Sequence, residues 1–302
     1  MATTPRVVVG LPVYNGRKYI GAAIESHLSQ SFGDFLLVIS DNASTDDTPD
    51  ICESYAAKDA RVKVWRSPQN RGILWNHRRV MEAMEGAGPY FRWAGADDIL
   101  EPGLLQLYVD TLDRDPDVSA VMPNTRNIDE EGAITGTMAR SLDLQSSSAS
   151  QRAWDLLLAR FQHVVAYGLM RSDMLRAMRT GPHYFGWDEI FIWELALRGK
   201  IVQPDGPALL RRFHRGSISR VKTVKELRKW VEPNAKAGMS FPHWNWAWER
   251  MRVLLATPMP AGERMRIASR LLRHTAWQRQ DLARDVTQAT KRALGLSDKY
   301  TF

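Results

Sequence analysis

Short runs rich in Val, Ile, Leu and aromatic residues begin near residues 6, 35, 62 and 89: Arg6 to Leu11, Phe35 to Ser40, Val62 to Trp65 and Tyr90 to Ala94. Their onsets are 29, 27 and 27 residues apart. Between them the apolar residues recur at helical spacing, as Ile20, Ala23, Ile24 and Leu28, then Ile51, Tyr55 and Ala56, then Val80, Met81 and Met84. A strand, a crossover helix and a second strand in about thirty residues is the βαβ unit, which stacks right-handed into a mostly parallel sheet. The pattern therefore predicts a mixed α/β fold with a mostly parallel central sheet flanked by helices.

After Leu100 the pattern loosens. A helix is predicted from about Pro102 to Arg114, and strands near Ser119 to Met122 and Val164 to Met170. Ser146 to Ser150 reads as a mobile loop, Trp187 to Arg198 as an amphipathic helix, and Ile201 to Phe213 as a hairpin. The remainder is predicted to be all helical, with Trp244, Trp246 and Trp248 straddling a helix start and breaks near Pro242 and Thr257 to Pro260. This divides the chain into 1–220, with halves 5–100 and 101–220, and a basic, Trp- and Arg-rich helical module at 221–302.

The composition, 44% hydrophobic and 25% charged over 302 residues, excludes disorder and a disulfide scaffold. The net charge of +7 hides an asymmetry: residues 1–205 carry 21 basic and 27 acidic side chains, residues 206–302 carry 20 and 7. An acidic body suits bound cations, and a basic tail suits phosphates or an anionic surface. Cys52 is the single cysteine, so no intramolecular disulfide forms. No apolar stretch approaches membrane-span length and no leader pattern opens the chain, so a cytoplasmic location is expected.

In an open parallel sheet, ligands bind beyond the carboxyl ends of the strands. The four predicted exits carry Pro12, Val13, Tyr14 and Asn15; Asp41 through Asp47; Asn70, Arg71 and Gly72; and Gly95, Ala96, Asp97 and Asp98. Each has a plain structural account as a helix cap, a turn or a solvated loop, but a capping role does not explain their convergence on one rim. Asp97 and Asp98 suit Mg2+ or Mn2+ bridging a diphosphate. Without a cation, each carboxylate–phosphate contact at 4 Å would cost roughly 4 kcal/mol at an effective dielectric of 20. Asp41 suits acceptance of hydrogen bonds from a base or a ribose.

The motifs Leu11-Pro12-Val13-Tyr14-Asn15-Gly16, Ile39 through Thr48, Asn70-Arg71-Gly72 and Ala94 through Leu100 resemble those of the family 2 glycosyltransferases with a GT-A nucleotide-diphospho-sugar transferase fold. The resemblance covers residues 5–220 and implies inverting transfer of a sugar from a nucleotide-diphosphate donor to an acceptor hydroxyl. It implies nucleoside contacts from Pro12, Tyr14, Asp41 and Arg71, with Asn15, Asn70 and Asp97 completing the nucleotide-binding set, and a metal-binding acidic motif at Asp97 and Asp98. Gly95 stands where many relatives carry Asp. The base is placed in Trp187-Asp188-Glu189 at the head of a helix, with Asp188 as the candidate and Trp187 and Glu189 on the acceptor side. The alternative is that the acidic pair only complements the helix N-terminus. Leu210 through Arg220 resembles the family's Arg-x-His-x-x-Ser ending, offering Arg212 and Arg215 as diphosphate clamps and His214 as a metal or phosphate ligand.

The tail has three readings: a helical cap with a solvated basic face, a peripheral membrane contact near a lipid-linked acceptor, and nucleic acid, disfavoured because no base-reading motif accompanies the charge. The expected partners are a nucleotide-sugar donor and a saccharide or lipid-linked saccharide acceptor, in surface polysaccharide or glycoconjugate synthesis. The competitors are a catalytically weak sugar-nucleotide-binding subunit, favoured by Gly95, and a nucleotidyltransferase, disfavoured because Pro12 to Asn15 offers no Gly-rich triphosphate loop.

Overall fold

A computed structural model describes residues 4–138, 142–159, 164–179, 181, 187–214 and 241–294. The first half follows the predicted alternation. Strand β1 (Val7–Val13) leads into α1 (Ile20–Leu28), β2 (Phe35–Asp41) into α2 (Thr48–Ala56), β3 (Val62–Arg66) into α3 (Ile73–Met81), and β4 (Tyr90–Trp93) follows. The strands pair in parallel in the order β3-β2-β1-β4. Val7, Val8, Val9, Leu11, Leu37, Val38 and Ile39 are all buried, because helices cover both faces of the sheet and leave no solvent side for a polar alternate.

Beyond β4 come a two-residue β5 (Ile99–Leu100), α4 (Leu104–Arg114), β6 (Val118–Val121), β7 (Asn124–Ile128), β8 (Ile134–Thr137), α5 (Ala149–Leu158), β9 (Leu169–Arg171) and α6 (Ser172–Ala177). Then follow α7 (Trp187–Arg198), β10 (Lys200–Val202) and β11 (Ala208–Arg212). The large sheet has seven strands in the order β10-β6-β9-β4-β1-β2-β3, with β9 antiparallel to both its neighbours. A second, four-stranded sheet runs β5-β11-β7-β8.

Three sequence expectations give way here. Ile201 to Phe213 is not a hairpin: β10 joins β6 in the large sheet and β11 joins β5 and β7 in the small one. The run Val164 to Met170 begins as a 3-10 turn, Val165–Tyr167, and only its end is strand. The Ser-rich stretch is anchored, since the Ser148 hydroxyl accepts the Gln151 N–H to cap α5 and Glu263 accepts the Ser150 N–H.

The C-terminal helices are α8 (Pro242–Ala256), α9 (Ala261–Trp277) and α10 (Arg279–Ala293). All three tryptophans at 244, 246 and 248 lie within α8 rather than straddling its start. Val253, Leu254, Ile267 and Leu271 are buried in the same apolar cluster as Trp93, Phe91 and the inner face of α7. Arg92, fully buried on β4, donates to the Tyr167 carbonyl at 2.9 Å and lies 3.4 Å from His27 Nε2.

Candidate active site at the carboxyl rim of the large sheet

The loops leaving β1 and β2 are laced together. Asn15 sits in the left-handed region at φ 52°, which Asn tolerates better than most residues. Its N–H donates to Ser44 Oγ at 2.8 Å, and its side-chain oxygen accepts the Thr45 N–H at 2.8 Å. The neighbouring Gly16 N–H donates to Thr48 Oγ1 and the Arg17 N–H to Asp46. Burial works against the Asp46 carboxylate, but hydrogen bonds from Thr48 and Arg17 outweigh it and hold its pKa below the usual carboxylate range. The motif residues from Ser44 to Thr48 thus form a lattice that fixes where Tyr14 stands, 42% exposed at the rim, with Pro12 half-buried behind it.

Asp41 is fully enclosed at the end of β2, and its carboxylate accepts the Ser44 N–H at 3.2 Å. It lies 3.8 Å from Arg66 Nε. As it stands, Asp41 shapes the floor of the loop rather than presenting an open face. Ala43, next along, holds φ 63°, a strained conformation costing about 1–2 kcal/mol for a residue with a Cβ.

Asn42 joins the β2 exit to the segment before α3. Its amide nitrogen donates to Asn70 Oδ1 at 3.0 Å and to the Gly72 carbonyl, and its oxygen accepts the Arg71 N–H at 3.0 Å. The Asn70 oxygen also accepts the Gly72 N–H at 2.9 Å, so Asn70 braces the turn. Gly72 itself holds φ 85°, which favours glycine at the mouth of α3. Arg71 is thereby left exposed, its guanidinium 4.5 Å over the Trp75 ring. Arg79 lies 5.1 Å from the same ring and 5.9 Å from Trp65. Beneath, buried Asn76 donates to the carbonyls of Ser40 and Val13 and accepts from Ser40 Oγ at 2.6 Å.

The Asp97-Asp98 pair divides its work. Asp98 is buried, one oxygen accepting the Arg212 N–H at 3.0 Å. Desolvation, with the Asp97 charge beside it, pushes its carboxyl up to about 7. Asp97 is half-exposed, and its Oδ2 lies 3.0 Å from His214 Nε2. The His214 ring packs 5.0 Å from Tyr19. Among the described residues no third His, Cys, Asp or Glu joins a cluster able to hold an ion. A carboxylate oxygen beside an imidazole nitrogen is donor chemistry that would suit a divalent cation.

Arg212 departs from its expected role as a diphosphate clamp. It is buried, stacks 4.6 Å from Tyr19, and donates to the carbonyls of Asp97, Asp129 and Glu130. These bonds tie β11 to the acidic motif and leave the guanidinium turned inward. Arg215 lies outside the described residues.

Trp187 also departs from expectation. It packs into the core, 5.5 Å from Trp93 and 5.0 Å from Phe191, and offers no open face to an acceptor. Glu189 ties α7 to α8 through Arg250 at 3.0 Å. Asp188, in the first turn of α7, is half-buried. Partly buried Tyr167, which the sequence reading passed over, links it to the rest: desolvation, then Asp98, Asp97 and Asp188 together, push its phenol well above its ordinary value. Asp188 therefore stands within electrostatic reach of the same side chain as the acidic pair.

The structure thus brings Tyr14, Asn15, Asp41, Asn70, Arg71, Asp97, Asp98 and His214 to one rim. Asn42, Asn76 and Ser40 are the residues that hold it together. Asn76 did have a signal: it is a polar residue four positions before Val80, on the face of α3 that turns to the core.

Comparisons with known proteins agree with this architecture. A stretch of 130 residues is 35% identical to the chondroitin synthase of Escherichia coli, covering 43% of this chain and 18% of that protein, so the chain spans under a fifth of this relative's length. TarS of S. aureus, solved in complex with UDP-GlcNAc, superposes with a TM-score of 0.66 at 16% identity over 89% of this chain and 72% of that one. The mannosyltransferase PcManGT from Pyrobaculum calidifontis, solved with GDP-Man and Mn2+, does so at 0.54 and 16% identity over 98% and 89%. At these identities the solved structures establish the shared GT-A fold. The family described as glycosyl transferase family 2 matches residues 8–172, more than half of the chain, and the chain belongs to that family.

Proposed function

We propose that the chain is an inverting glycosyltransferase that moves a sugar from a nucleoside diphosphate to an acceptor hydroxyl. The observation that supports it is the lacing of the β1, β2 and pre-α3 loops beside the Asp97–His214 pair. In this reading the nucleoside lies between Tyr14 and Arg71, over the loop that Asp41 and Asn42 hold from below. Asn15 and Asn70 act by fixing that loop. Relatives of the fold bind UDP-GlcNAc or GDP-Man, which is the donor chemistry this rim suits.

Asp97 and His214 would hold a divalent cation, Mn2+ or Mg2+, which when bound neutralises the diphosphate as it leaves. Asp98, enclosed and bonded to the Arg212 N–H, positions Asp97. The acceptor oxygen attacks the anomeric carbon as the bond from that carbon to the phosphate oxygen breaks. Asp188 takes the acceptor's proton, and the nucleoside diphosphate departs from the opposite face. The acceptor reads as a saccharide hydroxyl, free or lipid-linked, in polysaccharide or glycoconjugate assembly.

The test is a panel of nucleotide sugars with Mn2+, read as release of nucleoside diphosphate with and without saccharide acceptors. Asp188→Asn is expected to lower kcat for transfer by about 100- to 10,000-fold while donor binding by calorimetry stays unchanged. Turnover within threefold of the parent would remove Asp188 from the role.

A further inference from the structure

Among the described residues, nine of the twelve large hydrophobic side chains that stand exposed fall between residues 241 and 294. On α8 they form one stripe. Trp244, Trp248 and Leu255 follow one another at intervals of four and seven residues, which places them within about 40° of arc, with Phe241 exposed at the N-cap before them. Trp244 also donates its indole N–H to the Leu282 carbonyl of α10. Trp248 is 67% exposed and Leu255 63%. The opposite face carries Val253 and Leu254, buried against the core shared with α7. A helix that is apolar on its inner face and apolar again on its outer one calls for a second partner. On α9, Met265 and Leu272, 68% and 62% exposed, repeat the arrangement opposite buried Ile267 and Leu271.

The charge says what that partner is. Residues 241–294 contain ten basic and four acidic side chains. A second copy of the chain would bring like charge against like. The segment 215–240, with seven basic and two acidic residues, offers no complement either. Tryptophan and arginine around an apolar stripe match the boundary between hydrocarbon and anionic headgroups, where an indole has one apolar and one wet side. Among the described residues no helix is long and apolar enough to cross a membrane, so the contact would lie in the plane of the surface.

We propose that the outer face of α8 and α9 docks on an anionic lipid surface. This goes beyond transferase chemistry and stands or falls independently of it, because the stripe residues lie on α8 and α9 and the nucleotide rim on the loops that follow β1 to β4.

The experiment is co-sedimentation of the full chain with vesicles of phosphatidylcholine alone and of phosphatidylcholine with phosphatidylglycerol. Sedimentation with the anionic vesicles is expected, at least tenfold above the neutral ones and reversed by raised salt as headgroup charge is screened. Trp248→Ser with Leu255→Ser is expected to lower that partition about tenfold while nucleotide-sugar hydrolysis is unchanged. Arg266→Glu should weaken binding to the anionic vesicles alone. Failure to bind either vesicle, or equal binding by the stripe variant and the parent, would overturn the proposal. So would a concentration-dependent dimer in ultracentrifugation that the stripe variant abolishes without any vesicle binding, since that outcome assigns the face to a second copy.

Discussion

The Asp98 carboxylate occupies the space that a side chain at residue 95 would need. A Cβ built on Gly95 would lie 2.6 Å from Asp98 Oδ2 and 3.0 Å from its Cγ, with Asp97 Oδ1 at 3.2 Å. The glycine is therefore part of how the acidic motif is built here. The chain folds the Asp98 carboxylate back over the backbone at residue 95 and fastens it to the Arg212 N–H.

Gly95→Ala forces the buried Asp98 carboxylate to move against that bond. A stability loss of about 1–3 kcal/mol is expected, with at least a tenfold loss in kcat/KM for the donor. Thermal unfolding and donor kinetics measure the two. Removing the obstruction in Gly95→Ala, Asp98→Ala should leave a stability loss smaller than the sum of the single variants, because the two sites are in contact.

In the proposed donor site Trp75 would act through Arg71, whose guanidinium lies 4.5 Å over its ring. The guanidinium is held on one side, while Arg79 continues the stack along α3 and reaches Trp65 of β3. A cation–π contact of this kind is worth roughly 0.5–1 kcal/mol at an exposed site. Trp75→Leu should accordingly raise the donor KM about two- to fivefold with kcat unchanged, and Trp75→Phe should restore most of the affinity. A drop in kcat with KM constant would place Trp75 outside donor positioning.

His27 makes the fold acid-labile. Its Nδ1–H donates to the Ala23 carbonyl at 2.8 Å, which leaves Nε2 as the acceptor facing Arg92. Burial first, and the Arg92 charge second, bring its pKa down to about 3. The unfolded chain takes up a proton there below about 6.5, whereas the folded chain does not. Stability is thus intact above that value and falls as pH drops toward 3, by about 1.4 kcal/mol per pH unit for this group. His27→Gln, which keeps one donor and one acceptor, should flatten the denaturant midpoint against pH over that window. Groups common to both proteins cancel in the comparison, and parallel curves for the two would rule His27 out.

The strand exits were legible because each lies at the end of an apolar run with a polar turn behind it, as at Val13-Tyr14-Asn15 and Ile39-Ser40-Asp41. The second half was less so. Residues 200–202 and 208–212 read as one hairpin because they are adjacent apolar runs, and nothing local reveals that β10 and β11 pair with strands some eighty residues earlier. Trp187 and Arg212 misled for a related reason. An aromatic or an arginine near a catalytic motif has the same local signature whether it faces a ligand or, as here, the core and the backbone carbonyls of Asp129 and Glu130. The Arg71, Trp75, Arg79 series was visible at four-residue spacing and needed only the helix to be drawn as a surface.

Val253 and Leu254 on α8, with Ile267 and Leu271 on α9, lie in one apolar cluster with Phe191 and Trp193 of α7, the helix that carries Asp188. Severing the polypeptide after residue 220 would strip a supporting wall from the element that bears the proposed base. The tail is thus as much scaffold for the chemistry as appendage to it.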